Sequence, residues 1–101
     1  MGHTGITQFM RIAELAATHH VSTIPHATIG TGIFQAASLQ ASAAIADLPM
    51  HEYQHSIMDR NAELLEGRLK AEAGHYLLPE GPGLGAAPGT ALWKHAVKIQ
   101  G

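Results

Sequence analysis

Between Val21 and His51 the only formally charged side chain is Asp47. A segment that apolar needs cover on more than one side, as a strand between two layers or a helix packed almost all round. The chain must therefore be layered about this segment, yet its 101 residues offer little material for the cover and amount to one small domain. Charge is concentrated elsewhere. Residues 1–58 carry Arg11, Glu14, Asp47 and Glu52, and the other ten charged residues follow. With 46% hydrophobic and 14% charged residues, the chain is not a disordered tail. Its net charge of -2 argues against a nucleic-acid or anionic-membrane partner. No run of about 18 apolar residues exists, so no transmembrane helix is expected. The start, "MGHTGITQF", has neither the basic nor the apolar region of a signal peptide. The absence of cysteine excludes disulfides and thiol chemistry and fits a cytoplasmic protein.

The element order follows from periodicity and punctuation. "TQFMRIAELAATH" reads as a helix, with Phe9, Ile12, Ala13 and Ala16 on one face and Thr7 as N-cap. "VSTI" (Val21 to Ile24) reads as a buried strand ending at Pro25-His26. "ATIGTG" is a loop, and "IFQAASLQASAAIAD" a second helix of apolar and small residues. "MHEYQ" is either a strand or the start of a third helix. Helix, strand, helix and a further strand argue for α/β with a parallel sheet, because Gly30 to Leu48 is long enough for a parallel crossover. Beyond it, "DRNAELLEGRLK" (residues 59–70) reads as a short helix weakened by Gly67, and "GHYLLPEG" as a strand. "PGTALWKHAVK" reads as a closing helix. The expected division is residues 1–58, helix–strand–helix–strand, and a tail over residues 59–101.

His51-Glu52-Tyr53-Gln54-His55 satisfies H-E-x-x-H, the zinc-protease pattern. On a helix, His51 and His55 would share a face and Glu52 would be the base. Glu63 or His75 could supply a third ligand, but nothing selects either, and the extended H-x-x-G-x-x-H pattern does not follow. His19-His20 belongs to a helix-to-strand turn, since adjacent side chains diverge. His3, His75 and His95 have no partner at useful spacing. "GPGLG" (Gly81 to Gly85) is turn chemistry rather than a phosphate loop, and Trp93 is assigned to packing.

The strand reading makes a different site. If "MHEYQ" runs parallel to "VSTIP" as its neighbour, about 4.8 Å away, His26 and Glu52 lie at carboxyl ends facing one crevice. That is where α/β enzymes place their chemistry. An imidazole and a carboxyl are the usual parts for general acid–base work. Spacing alone serves equally a His that caps a loop and a Glu at an exposed strand end.

Taken together, Thr4-Gly5-Ile6-Thr7 before a helix, Pro25-His26, an apolar helix, Glu52 and the "LPEGPGLG" tail (Leu78 to Gly85) resemble the last third of a mandelate racemase-type member of the enolase superfamily. The chain is most similar to the acid-sugar (galactonate-type) dehydratases. The resemblance covers almost the entire sequence and implies the C-terminal portion of a (β/α)8 TIM-type barrel, with a terminal segment returning to a capping domain. It implies proton abstraction α to a carboxylate, an enediolate stabilised by Mg²⁺, and loss of a β-hydroxyl. By resemblance His26 is the acid/base residue, and Glu52 hydrogen-bonds the substrate near its carboxylate.

The same resemblance places the Mg²⁺ ligands on three earlier strands and the Asp partner of the His just before "HTGIT", none of them in these residues. A (β/α)8 barrel needs roughly 250 residues. The expectation is thus the C-terminal part of a longer cytoplasmic enzyme, a homo-oligomer acting on a sugar acid, whose 101-residue piece is inactive alone. The competing readings are a non-catalytic remnant or interaction segment and, behind it, a zinc hydrolase built on "HEYQH".

Overall fold

The structure, a computed structural model, describes residues 4–27, 30–67 and 69–99. The first helix, α1, spans Gly5–Thr18 and buries Phe9 and Ala13, one turn apart. Ile12, expected on the same face, is 48% exposed. Thr4 rather than Thr7 precedes the first turn. The helix stops in a Schellman arrangement: Val21 N–H donates to the Ala16 carbonyl and His20 N–H to that of Ala17, each at 3.0 Å. His20 takes the left-handed conformation this requires (φ 57°), so His19-His20 is a turn.

The second helix, α2 (Gly32–Ala43), buries Gly32, Gln35, Ala36, Ser38, Leu39, Ala41 and Ser42. Small side chains let neighbours approach from several sides. α1 packs on one side and α3 (His55–Asn61) on another. A Cβ on Gly32 would collide with Leu65 and come within 3.0 Å of the Asn61 Cβ. Asn61 ties the two helices together: its Oδ1 accepts from Gly32 N–H at 2.7 Å, and its Nδ2 donates to the Ile57 carbonyl at 2.8 Å. The side chain thus closes an open donor of the α2 first turn from another helix. α2 ends at Ala43, short of the expected Asp47, as Ala44 and Ile45 tighten into bonds to Ala41 and Ser42.

The expected strands "VSTI" and "MHEYQ" carry no hydrogen-bonded ladder. Residues 21–27 and 48–54 lie beside one another, joined by a single backbone bond from Glu52 N–H to the Pro25 carbonyl at 3.3 Å. A strand is defined by repeated bonding to its neighbours, and barrel strands are bonded on both sides. Val21, Ile24, Met50 and Tyr53 are each more than half exposed, so the shortage of cover inferred for this stretch is real.

The tail departs further from expectation. Residues 59–70 are not one helix: α3 ends at Asn61 and β1 (Leu65–Glu66) follows. Gly67 is a turn residue (φ 83°), where a Cβ would meet the Gly85 carbonyl oxygen at 2.7 Å. β2 (Lys70–Glu72) and β3 (His75–Leu77) form an antiparallel hairpin, with Ala71 opposite Tyr76. Ala73 and Gly74 both take positive φ at its two-residue turn, the geometry that matches strand twist. β4 (Ala87–Pro88) pairs antiparallel with β1, and the closing helix is the short α4 (Thr90–Trp93). Trp93 is 65% exposed, which corrects its assignment to packing. The Gly81–Gly85 stretch is a turn, as read, pinned to α2 where Gln40 Nε2 donates to the carbonyls of Pro79 (2.8 Å) and Leu84 (3.2 Å). Among the described residues no helix is long and apolar enough to cross a membrane.

Asn61→Ala orphans the buried Gly32 N–H and should cost about 1–3 kcal/mol in urea denaturation. Asn61→Asp keeps the acceptor for Gly32 and should cost less. Equal losses for the two variants would show that the α2 contact is not what matters.

Candidate active site

Pro25 ends the first unladdered segment and delivers His26 beside Glu52. His26 Nδ1 lies 2.5 Å from Glu52 Oε2, and the same oxygen accepts from Ala27 N–H at 2.6 Å. The two residues singled out from sequence are therefore in direct contact. A carboxylate oxygen can only accept, so the proton of this contact sits on Nδ1, and Nε2 takes no part in it. Among these residues the imidazole is 74% exposed and the carboxyl 45%. In chemical terms this is an imidazole base in contact with a carboxylate, able to take a proton.

The backbone of Glu52 is held as firmly as its side chain. Its carbonyl oxygen accepts from the Tyr76 hydroxyl at 2.8 Å and from His51 Nδ1 at 2.9 Å. His51 Nε2 is then the acceptor for Ser38 Oγ, 2.9 Å away on α2. The rings of His51 and Tyr76 meet edge to face at 5.3 Å, and Tyr53 lies against Tyr76 at 5.7 Å. Burial first, then the negative charge of Tyr53 and of Glu52, pushes the Tyr76 hydroxyl above its ordinary pKa, with the Gln35 hydrogen bond opposing. His51 stood out in the sequence only as a candidate zinc ligand, and Tyr76 and Ser38 not at all. Tyr76 is distant along the chain, and Ser38 is one of several small residues on α2.

The zinc-helix geometry is overturned. His55 opens α3 and Gln54 is its N-cap, whereas His51 lies before the helix and turns toward α2. The pair cannot share a helical face when the helix contains only one of them. His75 Nδ1 bonds the Ala73 carbonyl inside the hairpin turn at 2.9 Å, away from this task. His3 lies outside the described residues. Mg²⁺ wants about six oxygen ligands in octahedral array. The site has one carboxyl, with an oxygen already bonded twice, beside an imidazole, and no trio of His, Asp or Glu that could hold a metal occurs among the described residues. These residues do not build a Mg²⁺ centre.

A protein-family model described as Enolase C-terminal domain-like matches residues 1–91. The chain belongs to the enolase C-terminal domain-like family. It is 34% identical over 92 residues to the D-galactarolactone cycloisomerase of Agrobacterium fabrum, a match covering 83% of this chain and 24% of that protein. A provisionally named isomerase from Sinorhizobium meliloti, solved in an open-loop conformation, is 56% identical with a TM-score of 0.88 and covers 93% of this chain and 25% of its own. A provisionally named dehydratase from Mesorhizobium loti is 25% identical with a TM-score of 0.80, over 94% of this chain and 26% of its own. The chain thus spans about a quarter of the length of the relatives it matches. Its fold class is α/β, a portion of the TIM-type barrel of this family.

Because the Tyr76 pKa is raised, its hydroxyl stays protonated, and so able to donate to Glu52, through the pH near 10 at which an ordinary tyrosine ionises. Stability tied to that neutral form is present below the ordinary value and is lost as pH rises through the raised one. Ultraviolet difference titration of the protein against Tyr76→Phe should therefore show a phenolate step above about pH 10. A step at or below that value would contradict the burial of Tyr76.

Proposed function

We propose that the chain contributes a general acid/base pair to an enolase-superfamily enzyme that abstracts a proton α to the carboxylate of an acid sugar or its lactone. The observation that carries this reading is the 2.5 Å contact between His26 Nδ1 and Glu52 Oε2. His26 takes the α-proton, and Glu52, in contact with its Nδ1, offsets the positive charge it gains, beside the Asp partner that the resemblance places outside these residues. This gives Glu52 an electrostatic role alongside the substrate contact implied by the resemblance.

The fate of the β-oxygen decides the reaction class. If it is a free hydroxyl, protonated as it leaves, water departs and the enzyme is a dehydratase. If it is the ring oxygen of a lactone, the leaving group stays tethered, no atom is lost, and the net change is an isomerisation. The same base serves both. The dehydratase reading rests on the resemblance and on the Mesorhizobium relative. The isomerase reading gains from the names of the A. fabrum and S. meliloti relatives, which are more similar in sequence. Enolase-superfamily enzymes are generally Mg²⁺-dependent. In the complete protein the ion is assigned to carboxylates outside these residues. The proposed substrate is a sugar acid, and the proposed assembly a cytoplasmic homo-oligomer.

In the complete enzyme, His26→Asn should abolish exchange of the substrate α-proton into D₂O, with a loss of about 10²–10⁴-fold in turnover. Glu52→Gln should lower the rate less, because the amide still accepts a hydrogen bond. Proton NMR on a panel of aldonic acids, aldaric acids and their lactones reads both effects. Full α-proton exchange by His26→Asn would sink the assignment. The 101-residue chain by itself should turn over none of the panel, and Mg²⁺-dependent turnover by it would contradict the need for the rest of the barrel.

A further inference from the structure

Nothing in the fold described so far accounts for the stretch that follows β4. Trp93 ends α4 at 65% exposed, and Val97 and Ile99 beyond it are 84% and 90% exposed. The chain leaves α4 through two turn bonds, His95 N–H to the Leu92 carbonyl at 3.0 Å and Ala96 N–H to that of Trp93 at 3.1 Å. After them Val97, Lys98 and Ile99 make no backbone hydrogen bond to another described residue. Extended, they put the two β-branched side chains on one face and Lys98 on the other. Three large apolar side chains this close together, with free backbone between them, suit an arm that binds another surface.

Charge narrows what that surface is. Lys94 and Lys98 are the only formally charged side chains after Glu80, while residues 1–80 carry all eight Asp and Glu against four Lys and Arg. The arm is thus cationic on an otherwise acidic chain. A groove between α3 and the β2–β3 hairpin has the complementary character. Met58, Ala62 and Leu77 give it apolar walls, and Asp59 and Glu72 outnumber Lys70 among its charged groups. The family match ends at residue 91, so the arm lies beyond the part of the fold that this family shares within one chain.

We infer that residues 93–99 form an exchange arm that lies in the α3–hairpin groove of a second copy of the chain. Trp93, Val97 and Ile99 cover the apolar walls, and the long stems of Lys94 and Lys98 carry their ammonium groups to Asp59 and Glu72. A two-fold pair makes the contact reciprocal, each copy giving one arm and receiving one. This supplies a contact for the homo-oligomer proposed above and is independent of the chemistry at His26.

The test follows the complete enzyme by sedimentation velocity over a dilution series. Trp93→Ala should raise the dissociation constant of the assembly about tenfold or more, as removal of a central interface tryptophan does. Lys98→Glu should raise it as well, and adding Glu72→Lys to that variant should recover most of the loss. Mild oxidation of a Val97→Cys, Ala62→Cys double variant places the arm directly: bands at multiples of the chain mass are expected on a non-reducing gel, and neither single variant should give them. Should Trp93→Ala fail to fold, as judged by circular dichroism, the Lys98→Glu and Glu72→Lys exchange decides. A disulfide closed within one chain overturns the inference, because the arm then packs on its own chain. So does a parent enzyme that sediments as a monomer, or an unchanged dissociation constant in both Trp93→Ala and Lys98→Glu. Turnover enters none of these readings, so failure of the acid/base proposal would leave the result standing.

Discussion

Close approach to α2 is the constraint on which the other contacts depend. α1 and α3 pack on it, Leu65 of β1 fills the space above Gly32, and Tyr76 meets Gln35. His51 reaches Ser38, and the Pro79–Gly85 turn hangs from Gln40. Gly32, Ala36, Ser38, Ala41 and Ser42 are small enough to let partners come close, while Gln35 and Gln40 reach out to Tyr76 and to the turn. A larger side chain on any of these faces would push one partner away, and interiors at crystal-like density have no slack to absorb that. Buried polar atoms follow from the same arrangement. Ser42 Oγ bonds the Ser38 carbonyl at 2.6 Å, and Asn61 caps Gly32. Gln35 Oε1 is the exception, buried without a partner among the described residues.

The candidate site inherits its order from that helix rather than from the segments that carry it. Residues 21–27 and 48–54 share one backbone bond, too little to hold two side chains in register. Register is supplied by side chains: the Glu52 carboxyl bridging to Ala27 N–H and His26, and the Glu52 carbonyl held by Tyr76 and His51. Residue 52 is thereby fixed at both ends, which suits a group that must present one oxygen to an imidazole.

Likeness to the enolase C-terminal domain-like family explains features that are otherwise awkward. Large apolar side chains at Val21, Ile24, Met50 and Tyr53 stand in the open, as suits a portion of a barrel. In a closed barrel, alternate side chains of each strand face the interior and the surrounding helices. The exposure is a property of a chain spanning a quarter of its relatives' length.

How much could be read beforehand differs between elements for physical reasons. α1 was legible because its apolar positions recur at helical spacing, and the crossover helix because its residues are small and uncharged. Pro25 marked the end of one segment, and His26 and Glu52 could be named as a candidate pair because both sit just past apolar runs. Only one arm of the hairpin was legible, as the strand read in "GHYLLPEG": Ala73-Gly74 is a weaker turn signal than Asn-Gly, and Lys70 to Glu72 is short and holds no β-branched or aromatic residue. The match of His51 to His55 to a zinc helix shows why a pattern of letters is not a geometry, since the helix begins only at His55. The sequence by itself determined which residues could do proton chemistry, where the chain must turn, and that its middle needs cover, because side-chain chemistry and backbone preference are local. Only the tertiary structure decided that the two candidates touch, that the contact uses Nδ1 of His26, and that Tyr76 bonds the Glu52 carbonyl. Those outcomes depend on contacts between residues 24 and more positions apart, and no local pattern records them.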